Sequence, residues 1–514
     1  MIYHSVRILG LGALTLAALG LWRPQTHAVQ SATSSRVSRP INVRDYGARG
    51  DGGYVSDAAI AAGSSKLTSP SGRFRIPDAG KPIVVLGAGP AINGKPDPLV
   101  TTIAAVMGPQ TLRLACPAAT GATGTWASWG TDNGPAIKKA FDVAALAGSA
   151  VVYFPTGIYR SSEVLTLDSS NVHLQGEGTE SVLLMGNVYT SKTSAHDSGD
   201  GLPVLFVGQP HGPALSNIEI DNLKFVNVGS QVEDKVNGAG LIEAPDYATV
   251  SNIKIHDLTI ETASRCGITL AADTDTYEIY NVDVIGGLHA FYLAGGGRNG
   301  YVHDNTLYNV PSLAQLYNSI GIVVKNQRNV RIIRNKIADY AMYGVLLTPE
   351  FSDQQILVDA NIITNVGSGI GVGGEKAITV SNNAIDGCQH FGIWVYGTHP
   401  DNVTQQIRIE NNVIRRVAGY GIVAESRNQG HVTDVVIQSN RLYECEGGIQ
   451  VNGLQGSNIV DDNIVTSSSV RKKLLGFYML HLDASDTKFS RNASMNYLTS
   501  EVPSNILGPN NVLK

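Results

Sequence analysis

The chain has 514 residues, enough for one large domain or two or three ordinary ones, so core size is not limiting. Charged residues make up 16% of it, against roughly 25% in an average soluble domain. A net charge of -5 with no long basic run argues against nucleic acid as a partner. The 56 glycines exceed the usual share of about 7% and point to many tight turns.

Residues 1–28 read as an export signal: Arg7, an apolar run from Ile8 to Trp22, then Thr26-His27-Ala28 as a small-x-small cleavage site. The mature chain would begin near Val29 and be secreted or periplasmic, with no membrane segment after cleavage. An uncleaved anchor is the competing reading, but the run is shorter than the ~20 residues a bilayer needs. Residues 29–75 form an amino-terminal segment that opens the first coil with the turn-rich strand INVRDYGARGDG, residues 41–52. Residues 76–130, with short apolar strands between Gly and Pro, read as a small β-insertion. A helix follows: Asp132 or Asn133 caps it, Pro135 sits in its first turn, and Ile137, Ala140, Phe141 and Ala144 share one face. Gly148 stops it before the strand Val151 to Phe154. A lone amphipathic helix at this point would close the open end of a repeat stack.

From residue 302 an apolar-x-x-Asn-x-apolar pattern recurs, with Asn305, Asn335, Asn361, Asn383, Asn412, Asn440 and Asn463 spaced 30, 26, 22, 29, 28 and 23 residues apart. Between the asparagines lies a second short strand opened by Gly, as in CGITL, YGVLL, FGIWV and GGIQV; HAFYL fits with Ala290 in the glycine position. Two or three short strands per repeat leave no room for helices. The expected fold is therefore all-β, a parallel β-solenoid over residues 131–470 whose coils stack about 4.8 Å apart. After residue 470 the repeat loses register, and 471–514 read as a carboxyl-terminal cap. Cys116, Cys266, Cys388 and Cys445 show no metal or redox spacing and are expected as free, buried thiols.

Counting from the glycine, the first and third residues are apolar in every coil and should face inward, Ile393 and Val395 for example. The second and fourth should then face out. That face carries Thr269, Tyr292, Lys325, Trp394, Tyr396, Glu425, Gln450 and Asn452. Running the alternation backward adds Arg265, His390 and Glu446 to it. Displayed aromatics beside carboxylates suit the flat faces and hydroxyl rims of sugars.

The V-x-D-Y-G-A-x-G-D-G stretch, the capped helix leading into VVYFPTGIY and the N-x-x-I coils resemble the pectate-lyase-like superfamily of right-handed parallel β-helices. That superfamily includes rhamnogalacturonase-like and polygalacturonase-like hydrolases, polysaccharide lyases, epimerases and phage tailspikes. The resemblance implies an exported enzyme that acts on glycosidic bonds along an outer face of the helix, as lyase or hydrolase. Its alternative is a non-catalytic adhesin or tailspike-like scaffold, for which a trimer is conceivable. The hydrolase motifs N-T-D, D-D and G-H-G are replaced here by Ser264-Arg265-Cys266, Leu288-His289 and Gln389-His390-Phe391, so that carboxylate set does not carry over. The D-P-H motif of the epimerases is absent as well.

A lyase needs a base beside a uronate carboxylate and positive charge for the developing enolate; Arg265, Lys325, His289 and His390 are the candidates. A hydrolase needs two carboxylates roughly 5–9.5 Å apart, whereas Glu425 and Glu446 fall roughly 20 Å apart in this frame. Turn carboxylates such as Glu243, Asp246, Asp273, Asp275, Glu350 and Glu375 could supply a partner. The expected catalytic set is His390, Glu425, Glu446, Lys325 and Arg265, with Tyr292, Trp394, Tyr396, Gln450 and Asn452 binding a polysaccharide or oligosaccharide. No pattern requires a cofactor or a metal, although a lyase of this superfamily admits calcium.

Overall fold

The computed structural model describes residues 39–513 apart from 93–94, 187–202, 228–239, 263–265, 311–318, 349–353, 398–399, 401–402, 428–429, 470–474, 481–486, 498–499 and 505–506. Each short strand is too small to bury its own apolar face, so the coils close their core by stacking. The result is a right-handed parallel β-helix with a single α-helix among the described residues. Twelve parallel strands from Leu165–Leu167 to Phe477–Leu480 form one sheet. A 26-stranded sheet forms the rest of the wall. It folds at a corner into a first arm, exemplified by Arg298–His303, and a second arm, exemplified by Thr306–Tyr308.

The corner explains the asparagines. Asp304 takes a left-handed conformation with φ 55°, which turns the chain and aims Asn305 inward. In the next coil, the amide of Asn335 donates to the Val302 carbonyl at 3.1 Å and to Asn361 Oδ1 at 3.0 Å. Its own Oδ1 accepts from the backbone and side-chain nitrogens of Asn305 at 3.2 and 2.8 Å. Both donors and both acceptor sites are thereby used. The same links run through Asn383, Asn412, Asn440 and Asn463 to Asn492, all buried. Ahead of Asn305 the ladder position is apolar, as Leu223, Leu258 and Val282, each buried.

The inward set is as expected, with Ile393, Val395, Ile422 and Ile449 all 0% exposed. The helix Gly134–Ala147 buries Ile137, Ala140, Phe141 and Ala144 against the first coil, and Gly148 ends it at φ 72°. Asn133 stands at the cap position, yet the oxygen that accepts from the Gly134 amide, at 3.2 Å, belongs to Asp132. Two boundaries differ from the sequence reading. The β-insertion is a closed six-strand barrel that begins at Gly53–Ile60 and ends at Ala122–Trp129, so it starts well before residue 76. At the other end, the strands Thr487–Ser490 and Ala493–Met495 keep the parallel ladder going past residue 470. The barrel has its own core around Phe74, Ile83 and Trp129. Its Val84 and Leu86 pack on Val182, Leu184 and Val226, so it covers apolar residues on the outer side of the second arm. Of the cysteines, Cys266, Cys388 and Cys445 are buried free thiols, whereas Cys116 is exposed. Burial pushes the Cys388 thiol up to about 12.

Candidate functional site

The outer side of the twelve-strand sheet carries the residues singled out from the sequence, but the glycine changes its geometry. A Cβ on Gly392 would lie 2.6 Å from Ile414 Cγ2 in the interior, and the following Ile393 also faces in. Two consecutive inward residues shift the alternation by one, and the ladder pairing skips the glycines accordingly. The residue just before the glycine is therefore outward, which puts His289, Ile320, Tyr343 and Phe391 beside the Tyr292–Trp394 row. His390 and Glu446, assigned to that row by strict alternation, precede the bend instead; His390 is exposed and Glu446 half-buried. Arg265 and Glu350 lie outside the described residues.

Tyr396 corrects a second expectation, being only 6% exposed. The coil Ser368–Gly373 has Gly371 and Gly373 at its two outward positions, paired with Trp394 and Tyr396. That leaves a trough. Tyr343 leans over Gly371, where a Cβ would come within 2.8 Å of its ring. Tyr396 in turn packs against Trp394 with centroids 4.3 Å apart and planes tilted by 31°. Trp394 is not a free platform either, since its Nε1 donates to Glu425 Oε1 at 3.1 Å and the Arg427 guanidinium lies 5.4 Å over its ring. Arg427 also pairs with Glu425 at 3.6 Å. Tyr292 joins the same apolar patch through Val323 and Leu346. Gln450 and Asn452, both half-buried, pair with Val423 and Glu425 of the preceding coil. Lys325 is half-buried in the row of Tyr396, three coils earlier or about 14 Å away. The structure thus unites Trp394, Tyr396 and Glu425, and leaves Lys325, His390 and Glu446 apart from them. Among the turn carboxylates, Glu375 is fully buried rather than solvated.

The first arm holds a denser constellation. One outward row reads His173, Glu219, Lys254, Glu278, Tyr301, Arg331, and its neighbour reads Asp221, His256, Tyr280, His303. Two Glu–His–Asp units with matching geometry stand in it. His256 Nε2 lies 3.1 Å from Glu219 Oε1, with Nδ1 2.7 Å from Asp257 Oδ2. His303 Nε2 lies 3.2 Å from Glu278 Oε1, with Nδ1 2.7 Å from Asp304 Oδ2. Tyr280 is stacked between the two imidazoles, with centroids 4.5 and 5.1 Å apart and planes within 7°. Its phenol is raised above the ordinary value by burial and the surrounding carboxylates. Asp304 is held down to about 2, first by the bidentate Arg334 guanidinium at 2.8 and 2.6 Å. Positive charge flanks the stripe: Lys254 lies 4.0 Å from Glu278, and Arg331 lies 5.0 Å over the Tyr301 ring. At its amino-terminal end, His173 Nε2 is 2.8 Å from Asp221 Oδ2, which raises the imidazole's proton affinity, an effect that burial opposes.

The sequence reading missed this stripe because it applied alternation to the glycine strands alone. Applied to the asparagine frame, the same rule marks the second and fourth residues before Asn305, which are His303 and Tyr301. The stretch IKIHDL at 253–258 has the same form, with Leu258 in the place of Asn.

The model of the right handed beta helix region matches residues 246–406 and 321–493. No curated protein matches the chain. Among solved structures, a tailspike protein variant of E. coli bacteriophage HK620, in complex with a pentasaccharide, is similar at 11% identity and TM-score 0.50, over 71% of this chain and 72% of that one. The surface adhesin PfbA of Streptococcus pneumoniae is similar at 15% identity and TM-score 0.48, over 72% and 89%. An exopolygalacturonase from Thermotoga maritima follows at 10% identity and TM-score 0.47, over 65% and 88%.

Proposed function

Because the chain folds as a right-handed parallel β-helix, we propose that it is an exported enzyme of the pectate-lyase-like superfamily that cuts a polysaccharide, with the Glu–His–Tyr stripe of the first arm as its active face. The observation that supports this reading is Tyr280 held between His256 and His303, each braced by two carboxylates. With both imidazoles engaged by carboxylates, Tyr280 is left to present its O–H group to a chain lying across the coils. Glu278 and Tyr280 lie two residues apart on one face, roughly 7 Å at strand spacing.

That pair suits elimination on a uronate. Glu278 takes the proton beside the substrate carboxylate, the C–O bond to the next sugar breaks, and the leaving oxygen receives the proton of Tyr280. A carbon–carbon double bond remains in the new non-reducing end. Lys254 and Arg331 supply positive charge for the substrate carboxylate as the enolate develops. Hydrolysis is the second reading, favoured by the closeness of Glu219 and Asp221, whose oxygens come within 4.8 Å. A binding scaffold would use the same hydrogen-bonding edges without turnover.

The test incubates the purified protein with a panel of acidic and neutral polysaccharides, reading 235 nm absorbance alongside reducing ends. Unsaturated product supports the lyase and reducing ends alone the hydrolase. Binding without either means a scaffold. A Tyr280→Phe variant with full activity removes the stripe from consideration.

A further inference from the structure

We propose that His173, Glu219 and Asp221, with His256 beside them, form a binding site for one divalent transition-metal ion of the zinc class. They come from three successive coils of the first arm: His173 from Val172–Gln175, Glu219 and Asp221 from Leu215–Asp221, and His256 from Thr249–Thr262. One ligand atom from each of His173, Glu219 and Asp221 lies within 4.8 Å of the others. His256 Nε2 flanks the group, 3.1 Å from Glu219 Oε1 and 3.8 Å from Asp221 Oδ2. Donor atoms around a tetrahedral ion with bonds near 2.0–2.1 Å sit about 3.3 Å apart, so His173, Glu219 and Asp221 need only small side-chain rotations to supply three of them.

Three features point to a cation rather than an ordinary polar patch. The backbone is a paired parallel ladder on both sides, so the donors are positioned without a loop having to order. The outer contacts are those that orient metal ligands: His256 Nδ1 bonds Asp257 Oδ2 at 2.7 Å, which aims Nε2 at the carboxylates, and Asp221 Oδ1 accepts from Asn222 at 3.0 Å, which leaves Oδ2 facing both histidines. The charge is unbalanced as well. Glu219, Asp221 and Asp257 crowd His256, itself only 7% exposed, and a divalent ion would neutralise them. A donor set that joins an imidazole to two carboxylates matches borderline ions rather than calcium, which takes oxygen ligands.

The site does not depend on the proposed reaction, because it is read by binding. The full chain, stripped with chelator, would be titrated with zinc alone by calorimetry, and bound metal counted after dialysis. We expect one equivalent per chain and a rise in melting temperature with zinc. His173→Gln and Asp221→Asn should each weaken binding by at least tenfold while keeping the apo protein's melting temperature and circular dichroism. His303→Gln, two coils away, should bind as the parent does. Absence of stoichiometric binding overturns the proposal, and so does binding that survives both His173→Gln and Asp221→Asn. If zinc binds while the polysaccharide panel shows no turnover, the metal site stands and the enzyme reading falls.

Discussion

On the twelve-strand sheet, Gly371 and Gly373 leave a trough into which Tyr343 and Tyr396 lie down, so aromatic side chains that should stand in solvent become a satellite core. On the first arm, no position of the row from Glu219 to Arg331 is a glycine, and rings stack coil upon coil between paired charges. Both faces rest on the same ladder spacing. What separates them is whether a neighbouring coil offers a vacancy. Where it does, aromatic residues contribute stability; where it does not, ionisable groups hold one another in a paired, partly buried row. An outward aromatic is therefore informative about function only together with the residues one coil above and below it.

The comparison can be broken most directly by Tyr343→Ala. Tyr343 is 5% exposed, and its loss should cost about 3–5 kcal/mol of unfolding free energy with little change in turnover. Denaturant titration beside an activity assay checks it; a stable variant with impaired turnover would make the aromatic face the functional one.

The next effect is nearly as large. His289 belongs to the same covered face, and burial holds its pKa near 4, below its ordinary value. The unfolded chain then takes up this proton first on acidification, so stability is lost as pH falls from about 6.5 towards 4 and levels off below that. The full difference approaches 3 kcal/mol. His289→Leu should remove this part of the pH dependence in unfolding titrations at pH 7 and pH 4.5. Parallel curves for parent and variant would count against a neutral buried imidazole.

Tyr280→Phe probes the other face. It should lower turnover by about a hundredfold, near 2.7 kcal/mol in the barrier, while changing stability by less than 1 kcal/mol. A large stability loss would show that the stripe is built for packing after all. The smallest effect belongs to neither face: Ala360 turns a corner at φ 53°, and Ala360→Gly should stabilise by about 0.5–1 kcal/mol in a thermal melt.

The solenoid was legible because a two-residue alternation and a repeated Asn survive in the sequence whatever the outer loops do. The helix, its buried face and the inward set Ile393, Val395, Ile422 and Ile449 followed from periodicity alone. The barrel boundary was not legible, because Gly53–Ile60 alternates as a coil strand does, and only its antiparallel partner Ala122–Trp129 tells it apart. The outer faces were half legible. Alternation marks what points outward, but the bend at each glycine moved His390 and Glu446 off the row, and the two glycines in SGIGVG allowed Tyr396 to be covered. The Glu–His–Asp units were present as HD at 256–257 and 303–304, yet Glu219 and Glu278 join them only across coils, a relation that spacing along the chain does not display.

The asparagine ladder also determines how this molecule would come apart. Every amide from Asn335 to Asn463 is held by the coil before it and the coil after it, so no interior coil can leave without stranding buried donors and acceptors on both sides. A terminal coil breaks such links on one side only. Ahead of Asn305 the chain of amides gives way to Leu223, Leu258 and Val282, and there the helix and barrel lie against the stack. Beyond Asn463, the Asn492 backbone N–H donates to Asn511 Oδ1 at 2.9 Å. Pulled or heated, the coil stack should therefore unzip from its carboxyl end inward, one amide at a time, towards a plugged and slower-yielding amino-terminal end.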